Sequence, residues 1–380
     1  VNTGPGGRVN TGPGGRVSAD RHPGLAQFDR ALAGGAAPEV WIRFPRQLGD
    51  VVMTLPFLNT LQRHWNAVAA ERGVQLRWIA VGHHIGAALL SEADPAFIAE
   101  AHIEGGGAAK PDPWALVRGW RKRPPAAFLN LSQSARLPFA AWLSRVPLRA
   151  GIADNHLRLL YHHSIRYRNL PLHIATRIQP LLQALTGDDR ALWLPLTPAL
   201  LGGHRGPDKL RAEGWDGESY ATLAFGTRGF GKRWFPEDRT WPELMRQLQA
   251  RDLRPVLLGG PDEVALGEAL AGAVPGAICL AGKTTLPEAC AIQSAAWGNV
   301  AIDTGLAHTA AATGRPTVTL FGPSPEVWVN PIGPRALPLR GPDVDCEASA
   351  PAGFPTHGSS AHRISPARVM EMLEMLVKES

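Results

Sequence analysis

A chain of 380 residues is longer than one hydrophobic core usually serves, so two domains are expected. Apolar residues at 44% and charged residues at 19% describe a globular chain, and no unbroken apolar run approaches the roughly 18 residues of a membrane span, which excludes fibrous and membrane-integral classes. The formal charge of +6 is unevenly placed: residues 43–186 hold 17 Lys/Arg against 8 Asp/Glu, whereas 187–380 hold 18 against 22.

The chain starts with VNTGPGGR, which repeats perfectly at 9–16. Two Gly/Pro-rich octamers cannot bury a core and are too short for a solenoid repeat. Residues 1–37 are therefore expected to be a disordered tail. The tail lacks the apolar stretch of a signal peptide, and the first Met is Met53, which suggests a misassigned start or a fragment.

Order is expected from Glu39. Val40–Phe44 reads as a short buried strand, Pro45–Asp50 as a loop, and Val51 to about Val68 as a helix with apolar residues at Val51, Val52, Leu55, Leu58 and Leu61. A strand follows at 76–81, a helix near 114–121, a strand at 127–131, and helices at 134–143 and about 173–185. Between 186 and 219 the breakers Pro195, Pro198, Gly202, Gly203, Gly206 and Pro207 mark a linker, set at 187–218. Alternation resumes with strands at 220–225, 255–258, 277–280, 299–302 and 317–321 and helices at 241–251, 262–273, 286–296 and 306–313. A last helix opens at Ser365-Pro366. Strands alternating with helices twice over imply two doubly wound α/β units, each with a parallel sheet.

Ligands in such sheets bind beyond the carboxyl ends of the strands. Four segments place reactive groups there. Asp50, after Gly49, stands where a general base would, although an aspartate at a helix start is also an ordinary cap. Gly49 would let the backbone pass close to a substrate. The loop Gly226-Thr227-Arg228-Gly229-Phe230-Gly231-Lys232 carries a hydroxyl and cations suited to a diphosphate, yet it is not a Walker A loop, and many basic Gly-rich loops are only solvated turns. Glu263, after Gly259-Gly260, could accept from ribose hydroxyls or merely complement a helix start. Asp303-Thr304-Gly305 runs from a strand onto a helix N-terminus, a favourable phosphate position, with His308 one turn on, where a histidine is as readily structural as a ligand.

Together these segments resemble the ADP-heptose:lipopolysaccharide heptosyltransferases, glycosyltransferase family 9. The resemblance is carried in order by Ile42-Arg43, Leu48-Gly49-Asp50-Val51, Thr54-Leu55-Pro56, Lys232-Arg233-Trp234, Leu257–Pro261, Asp303–His308 and Gly314–Pro323. It implies a GT-B fold: an acceptor domain at 38–186, a nucleotide-sugar domain at 219–364, and a helix at 365–380 crossing back to the first domain. It implies an inverting, metal-independent transfer with no cofactor, the substrate being ADP-heptose. Asp50 would be the base. Thr227, Arg228, Lys232, Thr304 and Gly305 would hold the donor diphosphate, Glu263 the ribose, and Asp303 and His308 the donor sugar. Arg46 and Gln47 are candidate acceptor contacts. Arg228 stands where many relatives carry a second hydroxyl residue.

The basic first half suits an anionic partner. On the resemblance, that partner is a Kdo-lipid A type acceptor at the inner leaflet, met by a cytoplasmic enzyme peripheral to the inner membrane. Cys279, Cys290 and Cys346 form no CxxC, so a disulfide framework is not expected and a reducing compartment fits. A related transferase using another nucleotide sugar, or a sugar-nucleotide isomerase, are the rival readings. A nucleic-acid partner ranks below them, because no basic stripe with interleaved aromatics is written in the sequence.

Overall fold

The computed structural model describes residues 21–105, 112–154, 156–166, 172–227, 229, 232–234, 236–322, 324–341 and 360–378. Within them the chain builds two six-stranded sheets, every paired strand parallel.

The first sheet follows α1 (Pro23–Ala33). Its strands are β1 (Ala37–Arg43), β2 (Arg77–His83), β3 (Glu100–Glu104), β4 (Pro125–Asn130), β5 (Leu148–Ile152) and β6 (His163–Ile165). They lie in the order β3-β2-β1-β4-β5-β6. Helices α2 (Leu48–Ala70), α3 (Pro113–Lys122), α4 (Arg136–Leu143), α5 (Ile174–Arg177) and α6 (Gln179–Thr186) cover it. After α7 (Gly206–Arg211) the second sheet repeats the plan with β7 (Tyr220–Ala224), β8 (Arg254–Leu258), β9 (Ile278–Cys279), β10 (Gly298–Ile302), β11 (Thr317–Phe321) and β12 (Ala336–Arg340). Its order is β12-β11-β10-β7-β8-β9. Its helices are α8 (Glu237–Gln249), α9 (Val264–Gly272), α10 (Leu286–Ala295), α11 (Gly305–Ala312), α12 (Glu326–Val329) and α13 (Pro366–Lys378). In both sheets the strand order reverses at the centre, between β1 and β4 and between β7 and β10, which creates a crevice at the strand ends.

Central strands are buried on both faces, as parallel strands under two helical layers must be. Ile42, Phe128, Leu223, Val256, Ile302 and Leu320 are all 0% exposed. β3 (EAHIE) is polar and β6 (HSI) is three residues long, and the sequence reading passed over them for that reason; it also passed over β5 and β12.

Three expectations change. The tail does not extend to residue 37. Residues 1–20, with both octamers, lie outside the described residues, but α1 is a packed helix. His22 caps it by accepting from the Gly24 N–H, and Phe28 stacks on Trp65 at 4.2 Å. Asp29 is 3% exposed, and the Arg72 guanidinium beside it holds its carboxyl below the usual carboxylate range. The expected helix at 173–185 is two helices, α5 and α6, parted at Ile178. Pro180 has no N–H to continue the ladder from α5. The last helix does not cross back to the first sheet. Its Val369, Met370, Leu373 and Leu376 join Trp234, Trp241 and Leu244 in the core of the second sheet, and Gly298 on β10 makes room for Leu373. The stretch 187–218 carries α7, whose Gly206 lies against the α10 backbone.

Candidate active site

The site starts where β1 ends. Arg46 and Gln47 are exposed on the β1–α2 corner, and α2 begins at Leu48. Asp50 is therefore the third residue inside the helix rather than its cap; Gln47 occupies the cap position, with no side-chain capping bond. A carboxylate so near a helix N-terminus would ordinarily ionise easily. Burial overrides this and pushes the Asp50 carboxyl up to about 6, while the charges of Arg177 and, less strongly, Lys232 pull it down. The acid is thus poised close to neutrality by opposed causes.

Lys232 comes from the second sheet. Its Nζ lies 2.7 Å from Oδ2 of Asp303, an ion pair rather than a directed hydrogen bond. Asp303 follows β10 directly and is 6% exposed. Thr304 then caps α11 in an extended conformation, and its Oγ1 is buried without a hydrogen-bond partner among the described residues. The first N–H groups of a helix also lack intrahelical partners. An unsatisfied hydroxyl, helix N–H groups and an ammonium that Asp303 already pairs are groups of the kind that suit an anion.

Thr227 lies beyond β7, where its Oγ1 accepts from the Gly229 N–H at 3.1 Å. Arg228 lies outside the described residues. Glu263 sits on a 3₁₀ turn after β8, against Gly226 and Gly259, and accepts from the Gly260 N–H. Its carboxylate therefore stands between the ends of β7 and β8, with one oxygen engaged by its own loop.

The glycines serve a purpose that spacing did not reveal. A Cβ on Gly49 would fall 2.7 Å from the His308 ring, and one on Gly305 would fall 2.8 Å from Leu48 Cβ. The first turn of α2 and the first turns of α11 are thus pressed together. Gly49 admits His308 rather than a substrate. His308, expected at the donor sugar, is 4% exposed and packed at this junction. Burial lowers its pKa to about 4, so the ring is neutral at pH 7, and its Nδ1 is buried without a partner among the described residues.

Two residues of the site escaped the sequence reading. Arg177 on α5 is the largest charge acting on Asp50. His173, the cap of α5, accepts from the Ala175 N–H through Nδ1 and donates from Nε2 to the Asn330 carbonyl at 2.8 Å, tying the two halves. Both stand more than a hundred residues from Asp50, and no local pattern signals them. Among the described residues, no three or more His, Cys, Asp or Glu side chains group to hold a metal ion.

Residues 130–351, more than half of the chain, match glycosyltransferase family 9 (heptosyltransferase). The chain belongs to this family. Lipopolysaccharide heptosyltransferase 2 of Salmonella typhimurium is 32% identical over 158 residues, which is 38% of this chain and 44% of that protein. The chain thus matches less than half the length of this curated relative. The solved structure of E. coli ADP-heptose LPS heptosyltransferase II superposes with a TM-score of 0.69 at 22% identity, over 90% of this chain and 99% of that one. A family 9 glycosyl transferase from Veillonella parvula gives 0.72 at 19%, over 90% and 98%. These likenesses show the fold: family 9 chains of this kind are GT-B, two Rossmann-like sheets facing across a crevice, as the resemblance implied.

Proposed function

We propose that the chain transfers a heptose from ADP-heptose to an inner-core acceptor of the lipopolysaccharide type, with inversion, and that Asp50 is the base. The observation that carries this reading is a carboxyl poised at about 6 within reach of the Lys232 charge, on the opposite half of the crevice. The names of the Salmonella and E. coli relatives support the donor and acceptor class.

In this mechanism the acceptor hydroxyl gives its proton to the Asp50 carboxylate as its oxygen bonds to the anomeric carbon. The bond from that carbon to the diphosphate oxygen breaks, and ADP departs with the electron pair. Its growing charge meets Lys232, the Thr304 hydroxyl and the N-terminus of α11. The protein's own groups supply this stabilisation, and the reading requires no metal. Lys232 is held on Asp303 in the free site, so an arriving diphosphate would share or displace that contact. Thr227 and Arg228 would flank the diphosphate, Glu263 the ribose, and Arg46 and Gln47 the acceptor. The acceptor class places the reaction at the cytoplasmic leaflet of the inner membrane.

Asp50→Asn keeps the shape of the side chain and removes the base. ADP affinity by calorimetry should stay within about twofold, while transfer should fall by about 10²- to 10⁴-fold. Near-normal transfer by this variant would refute the base. A donor panel run with and without a chelator decides the rest: transfer only from a non-ADP donor overturns the heptose reading, and loss on chelation overturns the metal-free one.

A further inference from the structure

We propose that the outer face of α3 and α4 is a docking surface for an anionic lipid bilayer. Large apolar side chains are rarely left exposed in clusters without a partner. Four of the exposed ones gather on one side of the first sheet. Trp114 on α3 is 59% exposed, and Phe139 and Trp142 on α4 are 46% and 45% exposed. Leu159, at 77%, lies on the 3₁₀ turn His156–Leu160, which packs against α4.

Both helices turn their apolar backs to the same sheet. Val117 and Trp120 of α3 and Leu137, Ala140 and Ala141 of α4 share one core cluster with Trp41, Ile79 and Phe128. The helices also contact each other. Side chains opposite those positions therefore leave the sheet in a common direction. Phe139 and Trp142 stand one turn apart with ring centroids at 5.8 Å, so they present one aromatic surface.

The charge around these rings is mostly positive, with Asp112 and, beside the turn that carries Leu159, Asp154 as the acids. Arg118, Arg121 and Lys122 on α3, Arg123 after it, and Arg136 and Arg145 at the ends of α4 are all exposed. Between 112 and 145 the sequence contains a single acid, Asp112, which caps α3 and pairs loosely with Arg118 at 3.6 Å. Indole rings and cations together suit a headgroup layer: the rings enter the interface and the cations meet lipid phosphates. A nucleic acid would use the same cations, and duplex DNA is therefore one arm of the test below. The sequence alone showed no such stripe, because the packing of α3 against α4 assembles it from segments separated by β4.

The position fits the proposed reaction: α4 follows the carboxyl end of β4, beside the crevice where a lipid-anchored acceptor would enter. No helix among the described residues is long and apolar enough to cross a membrane, so attachment through this face would be peripheral.

The test needs neither donor nor acceptor, so it stands or falls apart from the transferase reading. The full chain is sedimented with vesicles of phosphatidylcholine, alone or mixed with phosphatidylglycerol. The wild-type protein should pellet with the mixed vesicles and be released by salt. Two variants, W114S/F139S/W142S and R118E/R121E/K122E, should each lower the partition by about tenfold or more. Both should retain the wild-type circular-dichroism spectrum and thermal midpoint, which report folding. Absence of vesicle binding, or binding unchanged in both variants, overturns the proposal. So does duplex DNA binding tighter than vesicle binding and lost in the same variants, or a concentration-dependent dimer that the aromatic variant dissolves.

Discussion

At the scale of single residues, the proposed chemistry turns on Asp50. Its raised pKa has a functional and a structural consequence. As the proposed base, Asp50 must be ionised, so kcat/KM should rise with pH through about 6 and level off above it. Arg177 lowers that pKa, and Arg177→Gln should therefore move the acid limb to higher pH with little change in ADP affinity; a limb that stays in place would remove Arg177 from the site. The structural sign is opposite to that of an ordinary salt-bridged acid. An Asp whose pKa lies near 6 when folded and at 3.8 otherwise favours folding most below pH 3.8, and that advantage is lost as pH rises to about 6. Above pH 6 the ionised form costs about 3 kcal/mol. Asp50→Asn should accordingly be more stable than wild type to denaturant at pH 8 and not at pH 4. Equal gains at both pH values would show that burial is not the cause. The position of Asp50 after β1 was legible because a Gly-Asp after a buried strand is a local signal. Arg177 was not, since its relation to Asp50 exists only once α5 folds over the crevice.

At the scale of elements, the contact between α2 and α11 joins the turn that carries Asp50 to the turn that carries Thr304. Gly49→Ala would drive a methyl group into the His308 ring, and overpacking of this kind typically costs about 1–3 kcal/mol. His308→Ala removes the ring. The double variant should therefore be less damaged than the sum of the singles, with a coupling of at least about 1 kcal/mol in denaturant stability. Strict additivity would mean the two groups do not touch. The same elements show how far patterns reach. β1, β7, β10 and β11 were readable because strands buried on both faces are nearly continuous apolar runs. β3 is EAHIE and β6 is HSI, at or near a sheet edge, where half-burial leaves no such run. α1 was missed because Gly/Pro-rich octamers precede it, although Phe28 and Asp29 find buried partners in Trp65 and Arg72.

At the scale of the whole molecule, the proposed function pairs the asymmetry of charge with the partners. An anionic acceptor would approach the basic first half, and the donor the mildly acidic second half. Raising salt from about 0.05 to 0.5 M should therefore raise the acceptor KM severalfold while leaving the donor KM nearly unchanged. If both move together, the asymmetry does not steer the acceptor.

From residue order alone came two doubly wound sheets, the strand-end positions of Asp50, Glu263 and Asp303, and the family. All of these depend on which residue types sit within one strand and its following turn, and local spacing records that. Tertiary structure decided what the same residues face. It turned Gly49 and Gly305 toward the opposite half, buried His308 at the junction, set Arg177 beside Asp50, seated α13 on the second sheet, and gathered the aromatics of α3 and α4 into one surface. Burial and charge depend on neighbours distant in the chain, so these outcomes were settled only when both sheets had packed.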